Sequence, residues 1–364
     1  TEASPIVTAG HTKADVGETE ATLSLCMIVK NEEYFLERCL RSVEAYVDEI
    51  IVVDTGSTDR TKSIASAFTD HVYDFEWDDD FSHARNFSLE KATGSWILVL
   101  DADELIAESD LQLLRTTMLD SEQDAFFLIQ YNYSDDPLLR DWLPVKEQSR
   151  YSGDYPGYRR NPIARLFRNG LGIRYAGVVH EIIDYSLEGL ESATLEIPIH
   201  HHMDDNPVKP KKDRQLNYLR IMEQELETAP SGRLYSLAAA VCMYYTRDYR
   251  KAIQYFEQAV SLDYDVNQSL ESMAEAHYRL SEFEQARAIY LRLYRSGFVS
   301  FSLCTNLANL LEGTLPAGVE LTFDLGEGAP ILGHPAQLGL TASGMGHWRS
   351  HRRPATGTDA DLTG

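Results

Sequence analysis

The chain has 364 residues, of which 43% are hydrophobic and 10% aromatic, a globular composition long enough for two domains with separate cores. Its 33 basic residues face 57 acidic ones, and the net charge of −24 argues against nonspecific binding to nucleic acid or to an anionic membrane. Four cysteines (Cys26, Cys39, Cys242, Cys304) lack metal-ligand spacing, the apolar runs are too short to span a bilayer, and no signal peptide opens the chain, so a reduced, cytoplasmic protein without a transmembrane segment is expected.

Residues 1–20 are polar and aperiodic and read as a disordered leader. Leu23–Val29 has the character of a strand. Asn31 is placed to cap a helix with Glu32 and Glu33 in its first turn and Leu36, Cys39, Leu40, Val43 and Val47 on one face. Residues 49–53 form a second strand ending in Asp54, after which Gly56 allows a tight turn and Ser57 or Thr58 can cap the next helix. A short strand at 71–74, an acidic-aromatic stretch at 75–81 and a helix at 83–92 follow. The run 96–100 is apolar on both faces, as in a strand of a covered parallel sheet, and then turns abruptly acidic at Asp101, Asp103 and Glu104.

Strands alternating with helices of this length indicate βαβ units and a parallel sheet. Two of the strands end in carboxylates, Asp54 on one and Asp101 with Asp103 on the other. Ligands of open α/β sheets bind at the carboxyl ends of strands, where such a pair can hold a hard divalent cation against a phosphate. The plainer alternative is that residues 101–104 only begin a helix, where acids favour the dipole.

Residues 125–133 read as a strand, 134–162 as a long polar and aromatic loop, and 163–167 and 172–175 as short strands. They lead to Gly177-Val178-Val179-His180-Glu181, with Glu181 projecting from a strand end, and to a strand at 195–199 followed by His200, His201 and His202. Beyond Asn206 the period becomes helical. Tyr249, Ala252 and Phe256 return as Phe283, Ala286 and Tyr290, each 34 positions on (283 − 249 for the first). Small Ala residues at packing positions with aromatics between them, at that period, are the tetratricopeptide signature. From Gly313 the chain is rich in Gly and Pro and reads as a tail without a packed core. The expected organisation is a leader (1–20), an α/β domain (21–205), a helical linker with repeats (206–312) and a tail (313–364).

Taken in order, several motifs resemble a family 2 inverting glycosyltransferase with a tetratricopeptide extension. They are Cys26-Met27-Ile28-Val29-Lys30-Asn31-Glu32-Glu33, Val52-Val53-Asp54-Thr55-Gly56-Ser57-Thr58-Asp59, Phe81-Ser82-His83-Ala84-Arg85-Asn86, the 96–104 segment, Arg165-Leu166-Phe167-Arg168 and Val179-His180-Glu181. The layout also looks like that of bacterial enzymes that glycosylate Cys or Ser of secreted antimicrobial peptides. This resemblance implies a GT-A fold and a nucleotide-diphosphate sugar donor, most often UDP-linked. It also implies that Asp54 contacts the uridine, that Arg85 shapes the nucleotide pocket, and that Asp101-Ala102-Asp103 stands at the DXD motif. By the same analogy Asp103 is the metal ligand, and His201 aligns with a late histidine of the family, although the aromatic and Gly that usually follow are missing here.

Mg²⁺ or Mn²⁺ prefers oxygen ligands and bridges diphosphate oxygens, so it suits this set. Direct displacement at the anomeric carbon also needs a base for the acceptor, for which Glu181 is the first candidate and His180 the second. The acceptor is expected to be a peptide side chain or a glycan docked on the repeats, which are also compatible with a homodimer. A non-enzymatic repeat adaptor on a degenerate scaffold and a nucleotidyltransferase are the alternatives. The first is disfavoured by intact Asp54, Arg85, Asp101 and Asp103, the second by the absence of Gly after the first strand.

Overall fold

The computed structural model describes residues 21–137, 141–202, 211–312, 319–322 and 349–352; the expected leader lies outside them. Strands β1 (Leu23–Val29), β2 (Glu49–Asp54), β3 (Val72–Asp74) and β4 (Trp96–Val99) alternate with helices α1 (Leu36–Val43), α2 (Thr61–Ala65) and α3 (Phe81–Lys91). They pair in parallel in the order β3-β2-β1-β4, as the alternation predicts. Both faces are covered because both are apolar. Leu23, Leu25, Met27 and Val29 pack toward α1, whereas Cys26, Ile51, Val53, Ile97 and Val99 pack on the opposite face with Leu89 of α3. All four cysteines are buried free thiols.

The turns at the carboxyl edge differ from the expected caps. Asn31 sits in the left-handed region at φ 54° and accepts from the Thr58 amide at 2.7 Å, so it does not cap α1. Ser57 Oγ accepts from the Asn31 amide at 2.8 Å in return. The residue that accepts the Thr61 amide at the start of α2 is Asp59, at 2.9 Å. Polar side chains that sequence alone assigns to local caps thus stitch two neighbouring loops together across the sheet edge. Asp80 caps α3, accepting from the Ser82 and His83 amides at 2.7 and 3.3 Å.

Residues 101–104 do not begin a helix. They form a turn into β5 (Glu104–Ile106), which α4 (Glu108–Asp120), β6 (Ala125–Ser134), β7 (Trp142–Pro144), β8 (Gly157–Arg168) and β9 (Ser192–His201) follow. The expected 134–162 loop contains β7 and the start of β8, while the strand expected at 172–175 is absent. The loop carrying Glu181 is closed by an isolated bridge between Ala176 and Ile182, so Glu181 leaves from a tight loop and not from a strand end. Beyond β4 the order continues β8-β6-β9-β5, with antiparallel pairs except for parallel β6–β9, making the sheet mixed.

Helix α5 (Lys211–Thr228) leads into α6 (Gly232–Val241), which ends in a widened turn at Cys242–Thr246. Helices α7 (Tyr249–Ser261), α8 (Val266–Arg279), α9 (Phe283–Arg295) and α10 (Phe301–Glu312) complete the array. The 34-residue period has a packing basis: Ala252 and Ala286 are both fully buried, and Phe256 and Tyr290 occupy equivalent core positions in α7 and α9. The first helical core takes in Val178, Val179, Trp77 and Phe81, so the array packs directly against loops of the α/β unit. Within the expected tail, Val319–Thr322 pairs antiparallel with Arg349–Arg352. No helix among the described residues is long and apolar enough to cross a membrane.

Candidate active site

The carboxyl edge of β4 carries Asp101, whose carboxylate is clamped between two buried arginines. Arg85, from α3, donates through Nη2 to Asp101 Oδ1 and through Nε to Glu181 Oε1 at 2.9 Å. Arg165, from β8, donates to Asp101 Oδ2 at 2.8 Å and to Glu104 Oε1 at 2.9 Å. A buried charge is costly unless paired, and here two guanidiniums meet three carboxylates. Burial opposes ionisation of Asp101, but Arg85 and Arg165 outweigh it and hold the carboxyl well below its usual range. Burial raises Glu104, which Arg165 only partly offsets. Glu104 Oε2 also accepts the Asp101 amide at 2.8 Å and so closes the 101–104 turn on itself.

Asp103 faces a different partner. Register pairs Glu104 of β5 with His201 of β9, and His201 with Asn132 of β6. This brings His201 Nε2 to 3.3 Å from Asp103 Oδ2 and His201 Nδ1 to 2.8 Å from Asn132 Oδ1. Side chains alternate along a strand. His200 and His202 accordingly turn the other way, His200 bonding Tyr133 Oη at 2.8 Å and His202 the Tyr151 carbonyl at 2.5 Å. Burial lowers His200 to about 4. Burial also opposes the His201 charge, but Asp103 overcomes this and raises its pKa.

Asp54, at the end of β2, lies two strands from Asp101, about 10 Å at the usual strand spacing. Its Oδ1 accepts the Gly56 and Ser57 amides at 3.0 and 2.8 Å, and its Oδ2 is buried without a partner among the described residues. Arg85 Nη1 is likewise a buried donor without a partner. Ala102 packs into the core, which leaves only its backbone to a ligand. His180 is exposed, in the left-handed region at φ 53°, with its ring edge-on to Tyr218 at 5.6 Å. Desolvation lowers the His180 pKa, countered by Glu181 and reinforced by Arg233 and Arg214.

The structure thus brings Arg85, Asp101 and Glu181 into one ion cluster, sets Asp103 beside His201, and leaves Asp54 separate on the same sheet edge. Sequence reasoning missed Glu104 and Gln130 and assigned no role to Arg165. Gln130 Nε2 donates to Glu104 Oε1 at 2.6 Å. One signal was present: an acid inside the apolar stretch Glu104-Leu105-Ile106 must find a buried cation, and the Arg165 motif supplies it.

An α/β sheet with acidic strand ends and a helical array behind it defines the class, and comparison places the α/β part within it. Residues 24–170, the α/β part of the chain, match the family model described as Glycosyl transferase family 2. A TPR repeat-containing protein of Synechococcus elongatus is 42% identical over 48% of this chain and 39% of its own length. The SPbeta prophage-derived glycosyltransferase SunS of Bacillus subtilis is 29% identical over 62% of this chain and 49% of its own length. The lipopolysaccharide core biosynthesis glycosyltransferase LpsC of Rhizobium meliloti is 27% identical over 62% of this chain and 80% of its own length. The chain spans less than half the length of the first two relatives.

Proposed function

We propose that the chain is a metal-dependent inverting glycosyltransferase that moves a sugar from a nucleotide-diphosphate donor, UDP-linked, to a peptide Cys or Ser side chain. The observation that carries this reading is the placement of the Asp103–His201 pair and the Arg85-linked Asp101 and Glu181 at one sheet edge within and beside a family 2 domain. Asp54 Oδ2 is a free acceptor for a nucleobase N–H, and Arg85 Nη1 a free donor for a donor-sugar or phosphate oxygen. Asp103 would supply the oxygen ligand that Mg²⁺ or Mn²⁺ prefers, with the His201 imidazole beside it and diphosphate oxygens and water completing the set. When bound, that ion neutralises charge on the departing diphosphate.

Glu181 holds the acceptor proton. Its Oε1 is fixed by Arg85, which leaves Oε2 to take the proton from the acceptor hydroxyl or thiol. The acceptor lone pair forms the new bond to the anomeric carbon, and the bond from that carbon to the diphosphate oxygen breaks. The electron pair leaves with the nucleoside diphosphate. The helices of 206–312 are tetratricopeptide repeats that dock the acceptor. The relative named for lipopolysaccharide core biosynthesis favours a glycan acceptor as the second reading.

Two measurements test the metal part. Asp103→Asn abolishes Mn²⁺- or Mg²⁺-dependent UDP binding in calorimetry while the thermal unfolding transition persists; unchanged metal-dependent affinity would remove the reading. Asn132→Leu releases the His201 ring and weakens Mn²⁺ affinity by roughly 10–100-fold, read by manganese electron paramagnetic resonance without any substrate.

A further inference from the structure

Helix α5 lies outside the segment matched by the family, yet it closes over the candidate active site. Tyr218 meets Phe81 and His180 edge-on, each at 5.6 Å between ring centroids. Arg220, further along the helix, donates to Asp79 Oδ1 at 2.8 Å, and Trp77 Nε1 donates to the same atom at 2.9 Å. These contacts seat α5 on the loop before α3 and on the loop carrying Glu181.

Arg214 lies four residues before Tyr218 and therefore on the same side of the helix, one turn toward its start. It is half-buried and makes no ion pair among the described residues. Its charge acts on both His180 and Tyr218. The Tyr218 ring contacts with Phe81 and with His180, the neighbour of Glu181, turn this face of α5 toward the acidic crevice, and burial with Glu181, Asp101 and Asp103 pushes Tyr218 up to about 12 while Arg214 counters it.

The charge balance there is specific. Asp101, Glu181 and Glu104 share only Arg85 and Arg165, and Asp103 has His201 beside it, so carboxylates outnumber the arginines that pair with them. Arg214 is a further cation at the crevice with no carboxylate partner among the described residues, in a chain whose net charge is −24. A half-desolvated guanidinium at a crevice suits a ligand anion, and its forked donors match phosphate oxygens.

We propose that Arg214 binds the diphosphate of the nucleotide-sugar donor, so that α5 completes a site the family 2 domain only begins. This rests on the donor reading above. Tyr218 and Arg220 are the positioning residues that hold α5 in place. The helical segment is then part of the donor site as well as a platform for the acceptor.

The test compares UDP with uridine, which lacks the phosphates, on the full chain in saturating Mn²⁺. Calorimetry measures UDP, and ligand-observed NMR measures the weaker uridine. Arg214→Ala weakens UDP roughly tenfold to hundredfold and leaves uridine unchanged, as expected for loss of a charge-assisted contact to phosphate. Arg214→Lys, which keeps the charge but loses the fork, falls between. Equal loss of UDP and uridine would make Arg214 a structural residue and overturn the proposal, as would unchanged UDP affinity. A wild-type chain that binds neither ligand would instead overturn the donor reading, and this inference with it.

Discussion

Glu181→Gln lowers kcat for sugar transfer by roughly 10²–10⁴-fold and leaves UDP affinity intact. The carboxylate acts on the acceptor proton only as the new bond forms, so the loss falls on turnover and not on donor binding. Gln retains an oxygen to accept from Arg85 Nε, so the loop between Ala176 and Ile182 keeps its anchor. Stopped assays of UDP release, alongside UDP calorimetry, separate the two quantities. Transfer within about threefold of wild type would move the base to His180, because loss of a general base typically costs roughly 10²–10⁴-fold.

A second large effect is structural. Arg165→Met lowers the unfolding free energy by about 3–5 kcal/mol, because it leaves Glu104, whose side chain is wholly buried, facing Asp101 without its cation. Adding Glu104→Gln restores much of that loss, since the amide carries no charge and keeps an oxygen for the Asp101 amide. Urea denaturation of the single and double variants decides the matter. A single variant as stable as wild type would mean that the arginine clamp contributes position and little stability.

The parallel half of the sheet was legible in the sequence because β1, β2 and β4 are largely apolar on both faces and end in a change of charge. Asp54, Asp101 and Asp103 stood out for the same reason, and the 34-residue period exposed the helical array. The mixed half was obscure. β8 begins with polar Tyr158, Arg159, Arg160 and Asn161, a pattern that reads as loop until β6 and β7 flank it. Glu181 was expected to project from a strand end, whereas it leaves a tight loop and meets Asp101 only through their shared partner Arg85. The choice among three histidines could not be read from spacing; it follows from which face of β9 each one occupies. Local capping rules failed at Asn31 and Ser57 because those side chains bond across loops, and sequence distance hides such pairs.

The hydrogen bonds running from β8 to β9 have a direction. Arg165 can only donate, so Glu104 accepts from it, and the amide group of Gln130 must present its NH₂ to Glu104. The Gln130 oxygen then takes the Asn132 NH₂ at 3.0 Å, which turns the Asn132 oxygen toward His201 Nδ1. An arginine two strands away thereby selects the tautomer of an imidazole it never touches. With its proton on Nδ1, His201 aims a lone pair at the Asp103 carboxylate, and two acceptors 3.3 Å apart repel unless a positive charge sits between them. A proton supplies that charge, or, on the metal-dependent reading proposed above, a divalent ion would, and since the two exclude each other acidification would oppose metal at a gap whose polarity is written from the far side of the sheet.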